Sequence, residues 1–241
     1  MAYFKTSYDA STMTVAVDDE EVSRALGVLA DKTPAALKVA VNTTARQARK
    51  LLLDEVKNRY DLNAAGKRMI EDLRQRQKAT NRRPVAILAI MKNDPGAFRA
   101  DLGYFKTSPT KPYMGGNVRN APPFFQARVL KGNPLYNLKA GQNSNYPGKT
   151  MSKGFLVQFD SGHIGMVQRA INEPAEKPKD TRWKNKNGIV EKLYTMSSPS
   201  GSAMHRTVWE MQEQTVEQML RDNAERRARQ LIATAKRKGV I

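Results

Sequence analysis

Apolar residues recur at two periods along the chain, and the change of period separates helical flanks from a strand-rich middle. Leu37, Val41, Ala45 or Ala48, Leu52 and Val56 step by three and four, while Lys38, Arg46, Arg49, Lys50 and Lys57 point elsewhere. That spacing predicts an amphipathic helix. Thr33-Pro34 marks its start, with a capping hydroxyl ahead of a proline at the first helical position. Upstream, 13–17 reads as a short strand, and Val22, Ala25, Leu26 and Leu29 behind Asp18 and Asp19 read as a first helix. Asn63 can cap a third helix carrying Met69, Ile70 and Leu73, followed by the polar run 74–83 and Pro84. At the other end, 203–238 keeps a helical pattern with Val208, Met211, Met219, Leu220, Leu231 and Ile232 on its apolar side. Such a helix would span about 54 Å against a diameter of about 45 Å for a compact chain of this size. Either it breaks or one end stands clear.

In the middle the period shortens. Val85 to Met91 reads as a buried strand and Phe124 to Leu130 as another. The richest signal lies in 154–200. Phe155, Val157 and Phe159 alternate onto one face, Asp160-Ser161-Gly162 turns, and 164–169 returns, which together predict a β-hairpin. A third run, 189–194, precedes a Ser/Pro loop. Three strands make a small sheet whose apolar face needs a cover, with Phe155, Val157, Phe159 and Leu193 as its expected core. The Gly/Pro-dense stretches 93–123 and 133–150 read as long loops suited to gripping a neighbouring chain. The expected fold class is α+β: a small, mostly antiparallel sheet packed by N-terminal helices and a long C-terminal helix. A length of 241 residues fits one domain with a large insertion or two small ones. The first is expected, as a single domain over 1–241 with a loop-rich insertion at 93–150.

Charge adds a partner class. Lys and Arg number 41 against 23 Asp and Glu, a formal +18, which suits a polyanion or an acidic neighbour; the plain alternative is a solvated basic surface. The cations gather in two places. Lys177, Lys179, Arg182, Lys184 and Lys186 surround Trp183, a combination that suits phosphate contacts beside a stacking ring. Arg226, Arg227, Arg229, Lys236, Arg237 and Lys238 crowd the end of the last helix, against Asp222 and Glu225. With no helix-turn-helix, zinc-finger or RNA-recognition signature, contact with DNA would be electrostatic and weakened by salt.

Candidate catalytic chemistry is sparse. The absence of cysteine excludes disulfides, Cys-ligated zinc and thiol nucleophiles. His163 and His205 sit outside any metal spacing and read as structural. Asp54-Glu55 and Glu71-Asp72 lie on helical faces, where adjacent residues point apart. Gly148-Lys149-Thr150 ends like a phosphate-binding loop, but Asn143 stands where its first glycine belongs and a strand follows. No catalytic, cofactor-binding or metal residue is assigned; a nuclease would need Asp and Glu converging in space. No apolar run reaches the ~20 residues of a membrane span and no basic-then-apolar leader opens the chain, so a soluble protein without a classical secretion signal is expected.

Several short runs resemble the minor tail protein Z family of long-tailed bacteriophages. They are Pro34-Ala35-Ala36-Leu37, Ala40-Val41-Asn42-Thr43-Thr44-Ala45, Arg59-Tyr60, the hairpin 155–169, 189–193, and Ser197-Ser198-Pro199-Ser200 before the long helix. The resemblance covers the helical region to about Lys78 and the segment from Phe155 onward, and none of its motifs is catalytic. It implies a virion structural role in tail completion at the neck, where head and tail join. The implied assembly is a homo-oligomeric ring touching connector, terminator or tail-tube proteins, with genomic DNA in its lumen, no cofactor and no membrane. The neighbouring tail-terminator role shares that location, and a free, non-sequence-specific nucleic-acid-binding protein is the rival outside the virion.

Overall fold

The computed structural model describes residues 4–9, 12–17, 27–90, 99–114, 120–143, 146–177 and 184–239. The architecture is α+β, with long helices and several small antiparallel sheets. The chain divides into two compact units: Met1–Val56, Met69–Gly96 and Gly201–Ile241 form unit 1, and Lys57–Arg68 with Ala97–Ser200 form unit 2.

Unit 1 contains a four-stranded antiparallel sheet. Its strands are β1 (Phe4–Asp9), β2 (Thr12–Val17), β3 (Leu73–Gln77) and β4 (Val85–Ile90), in the order β1-β2-β4-β3. Met13, Val15 and Val17 are buried and alternate with partly exposed Thr12, Thr14 and Ala16. Met13 faces Leu88 and Val15 faces Ala86 across the ladder, so period-two patterning builds one apolar face. The helices are α1 (Thr33–Arg59), α2 (Ala64–Glu71) and α3 (Gly201–Arg237). Every apolar position expected of α1 is buried: Leu37, Val41, Ala45, Ala48, Leu52 and Val56. Pro34 sits in its first turn, but the Thr33 hydroxyl donates back to Leu29 O (3.2 Å) instead of capping forward. The first-helix expectation lies mostly outside the described residues; its visible end, Gly27–Lys32, is a 3-10 turn.

Asn63 does cap α2: its side-chain oxygen accepts from Gly66 N at 3.0 Å. Leu73, expected on that helix, instead begins β3 and pairs with Ile90. Side chains take up the carbonyls at this junction: Arg49 of α1 donates to Glu71 O at the end of α2 and to Leu73 O at the start of β3, and His205 of α3 bonds Ile70 O at 3.0 Å. α3 runs unbroken through 37 residues. Its buried stripe is Gly201, His205, Val208, Trp209, Val216, Leu220 and Asn223, whereas Met211, expected inside, is exposed. Asn223 ties α3 to α1 through Thr44 Oγ1 (2.9 Å) and Gln47 Oε1 (2.7 Å).

Unit 2 is built from short strands. β5 (Arg99–Asp101), β6 (Lys106–Ser108), β8 (Tyr136–Asn137), β9 (Gly141–Asn143) and β10 (Tyr146–Met151) fall in or at the edge of stretches expected to be loops, whereas β7 (Gln126–Arg128) lies within the strand expected over Phe124 to Leu130. Most are two or three residues long, too short for a period to register. β11 (Phe155–Gln158), β12 (Ile164–Pro174) and β13 (Glu191–Thr195) are the three expected strands, and β14 (Ser197–Pro199) pairs with β5. β12 is central: Val167 pairs with Phe155 of β11 and with Thr195 of β13. The expected sheet core is displaced by one residue. Leu156, Met166 and Val167 are buried, while Phe155, Val157 and Leu193 are half-buried and Phe159 is exposed. Burial on both faces of β12 leaves the Phe155 face of β11 at the surface, where the Arg169 guanidinium lies 4.2 Å from the Phe155 ring.

Candidate functional site

The two basic segments belong to different units. In unit 2, Lys177, Lys184 and Lys186 are exposed, whereas Lys179, Arg182 and Trp183 lie outside the described residues. Lys184 and Lys186 flank a turn that Asn185 organises. The Asn185 Oδ1 accepts from Asn187 N and Ile189 N at 3.0 Å, and its amide donates to Glu191 Oε1 at 3.1 Å. In unit 1, Arg226, Arg229, Lys236, Arg237 and Lys238 of α3 and the residue after it are exposed. Arg227 is half-buried and donates to Gln230 Oε1 at 2.8 Å, and Arg229 pairs with Glu225 at 3.2 Å. Cations in the last turn also complement the negative end of the helix dipole, so part of this clustering stabilises α3 itself.

The units differ more in acids than in bases. Unit 1 holds 21 Lys and Arg against 16 Asp and Glu, a balance of 21 − 16 = +5. Unit 2 holds 20 against 7, hence 20 − 7 = +13 of the chain's +18. Three of the described carboxylates of unit 2 are paired with cations: Asp61 with Arg128, Glu173 with Lys149 and Lys192, and Glu176 with Lys192. Exposed Lys67, Lys139, Lys184 and Lys186 are left to set its surface potential.

Unit 2 also encloses a cleft of about 820 Å³ that the sequence did not announce. Its walls come from three separate segments: Asp61 to Arg68, Gly103 to Thr110, and Ser161 to Ile164. Backbone bonds hold the first two together, Asn63 N to Tyr104 O at 3.1 Å and Lys106 N to Asp61 O at 2.7 Å. The His163 ring stacks on Tyr104 with centroids 4.5 Å apart. Its Nε2 is buried and faces the equally buried, unpartnered Asp101 Oδ2 at 3.9 Å. The other Asp101 oxygen accepts from Gly103 N (2.6 Å) and Met166 N (2.9 Å). Burial pushes the Asp101 carboxyl above the ordinary carboxylate range, opposed by those two N–H groups and by His163. Gly103 and Gly165 make this fit possible, because a Cβ at either would stand within 3 Å of Asp101.

His205 in unit 1 has a structural place, bonded to Ile70 O and fully buried. Burial holds it neutral, with its pKa lowered to about 4. Gly148-Lys149-Thr150 lies within β10, with Lys149 engaged by Glu173. Among the described residues, no group of three His, Asp or Glu side chains could hold a metal ion, and no helix is long and apolar enough to cross a membrane. Compared with protein families, curated proteins and solved structures, the chain matches none of them.

Proposed function

We propose that this chain is a structural virion protein of a tailed bacteriophage, acting in tail completion and head–tail joining at the neck as one subunit of a ring around the DNA path. The observation that carries the reading furthest is the partition of charge. A unit with 20 cations against 7 acids, built on short strands with exposed lysines around its loops, suits a surface that meets a polyanion. Ring symmetry would repeat that surface around a lumen. The long α1 and α3, joined to each other through Asn223, suit a structural subunit built on a helical frame. The motif order that resembles the minor tail protein Z family points the same way.

The test is cryo-electron microscopy of intact virions. A closed layer of this chain between the head connector and the tail tube is expected; absence from the virion overturns the reading. Replacing Lys184, Lys186, Arg226, Arg227 and Arg229 with Gln should impair head joining while leaving the fold intact, and unchanged infectivity counts against a role for those cations.

The charge of unit 2 also favours a second reading, a free nucleic-acid-binding protein. That protein would bind DNA tightly as a monomer, with a log–log salt slope of about −0.9 per phosphate neutralised. A neck subunit assembles with tail or connector proteins and needs no such affinity. Position in the layer separates tail completion from tail termination.

A further inference from the structure

We propose that the unit 2 cleft binds a phosphate-bearing ligand of mononucleotide size, with the phosphate between Arg68 and Lys106 and the rest of the ligand against Tyr104. The cleft's volume of about 820 Å³ exceeds what an inorganic anion needs and falls in the range typical of small-ligand sites. Its uncommitted charge is cationic. Arg68 and Lys106 both open onto it and are exposed, and neither side chain has an ionic or hydrogen-bond partner among the described residues. The carboxylate on its wall, Asp61, is already bound by Arg128 through contacts of 2.5 and 2.6 Å. Asp101 lies behind His163 and spends one oxygen on two backbone N–H groups. An arginine fork and a lysine point charge together suit phosphate oxygens better than a neutral ligand.

The aromatic side of the cleft argues for more than a bare anion. Tyr104 is held at its backbone and at one face of its ring: its carbonyl accepts from Asn63 N, and the ring is stacked on His163 at an interplanar angle of 26°. A ring fixed in that way offers a π face at little further loss of entropy, and nucleobases stack on such faces irrespective of sequence. Thr107 adds a hydroxyl for a sugar or phosphate oxygen. The inference does not rest on the virion role, since the cleft is the same in either of the readings above.

The test uses the full-length chain and three probes, thymidine 5′-monophosphate, thymidine and inorganic phosphate, titrated at low salt by calorimetry and by backbone amide shifts. The nucleotide should bind at least about tenfold more tightly than either fragment, because only it uses both halves of the cleft. Its strongest shifts should fall at Thr107, Gly162 and His163. The double variant Arg68→Gln/Lys106→Gln should weaken it by about tenfold or more. Lys131→Gln/Lys153→Gln, the same charge change on exposed lysines outside the cleft, should leave it within about twofold. Melting curves check that each variant is folded, and the single Arg68→Gln replaces the double variant if that one is not. No saturable nucleotide binding, equal binding of thymidine, or indifference to the Arg68 and Lys106 changes would overturn the proposal. Inorganic phosphate binding as tightly as the nucleotide would overturn the mononucleotide assignment.

Discussion

Nearly equal numbers of lysine and arginine, 21 in unit 1 and 20 in unit 2, are put to opposite uses in the two units. In unit 1 several serve the fold. Arg49 ties the end of α2 to the start of β3 by donating to Glu71 O (3.3 Å) and Leu73 O (2.5 Å), while Arg206 and Arg229 pair with Glu210 and Glu225 along α3. Polar groups there are drawn inward and stitched between helices, as Asn223 and His205 are. In unit 2 Asp61, Glu173 and Glu176 are taken by cations, and lysines such as Lys67, Lys139, Lys184 and Lys186 remain at the surface. Net charge is therefore a property of a unit more than of the chain, and most of the excess of cations belongs to the unit poor in acids.

The largest expected effect breaks unit 1 at its packing. Trp209 is 1% exposed on the buried stripe of α3. Trp209→Ala should destabilise the protein by about 3–5 kcal/mol, read as a lower urea midpoint with an unchanged slope. A loss under about 1 kcal/mol would mean that helix packing does not dominate unit 1.

The next effect comes from the buried imidazole. His205 has an ordinary value of 6.5 and a folded value of about 4, lowered first by burial and further by the charge of Arg49, against the opposing bond to Ile70 O. Between those two values the unfolded chain binds the extra proton. Stability is thus fully present above about pH 6.5 and declines as pH falls toward 4, by up to about 3 kcal/mol. His205→Gln keeps a donor for Ile70 O and cannot titrate. Denaturation midpoints of the two proteins should converge as pH falls through this window, and parallel profiles would remove His205 as the cause.

Unit 2 should respond to a change of opposite kind, the addition of a methyl group. A Cβ on Gly103 would meet Ile164 O at 2.4 Å and Gly165 Cα at 2.8 Å, both backbone atoms that cannot swing aside. Gly103→Ala should cost about 1–3 kcal/mol and speed amide exchange at Met166, whose N–H is bonded to Asp101. Tolerance of the methyl would show that the close approach of β12 to the Leu102–Tyr104 turn is loose.

These sites were unequally legible in the sequence. α1 could be read because its apolar stripe repeats through 27 residues, and the Asn63 cap because one side chain and one N–H suffice for it. The β11–β12 hairpin was legible in outline but not in sidedness. Alternation says that Phe155, Val157 and Phe159 share a face, and only the neighbours of β12 decide that Leu156 is the one buried. Met211 lies at helical spacing from Val208 and still faces solvent, because a 37-residue helix buries a narrow stripe. The cleft left no local signal. Arg68, Tyr104, Lys106 and His163 come from three segments up to about a hundred residues apart, and only their pairing in space brings them together.

The smallest expected effect sharpens the contrast at the basic end of α3. Arg229 and Glu225 form an i,i+4 pair at 3.2 Å with side chains 81% and 65% exposed. An exposed pair of this kind is screened by water and salt and must hold two long side chains in one geometry. Arg229→Gln should therefore change stability by less than about 0.5 kcal/mol, shrinking further in high salt. Paired with Lys184→Gln on a polyanion such as heparin, it tests the division of labour directly. If unit 2 dominates, removing Lys184 should weaken binding more than removing Arg229, because Glu225 already offsets part of the arginine's charge. Equal losses would make the end of α3 a full partner in the contact, and would mean that acids four residues away do not set how a basic helix meets a polyanion.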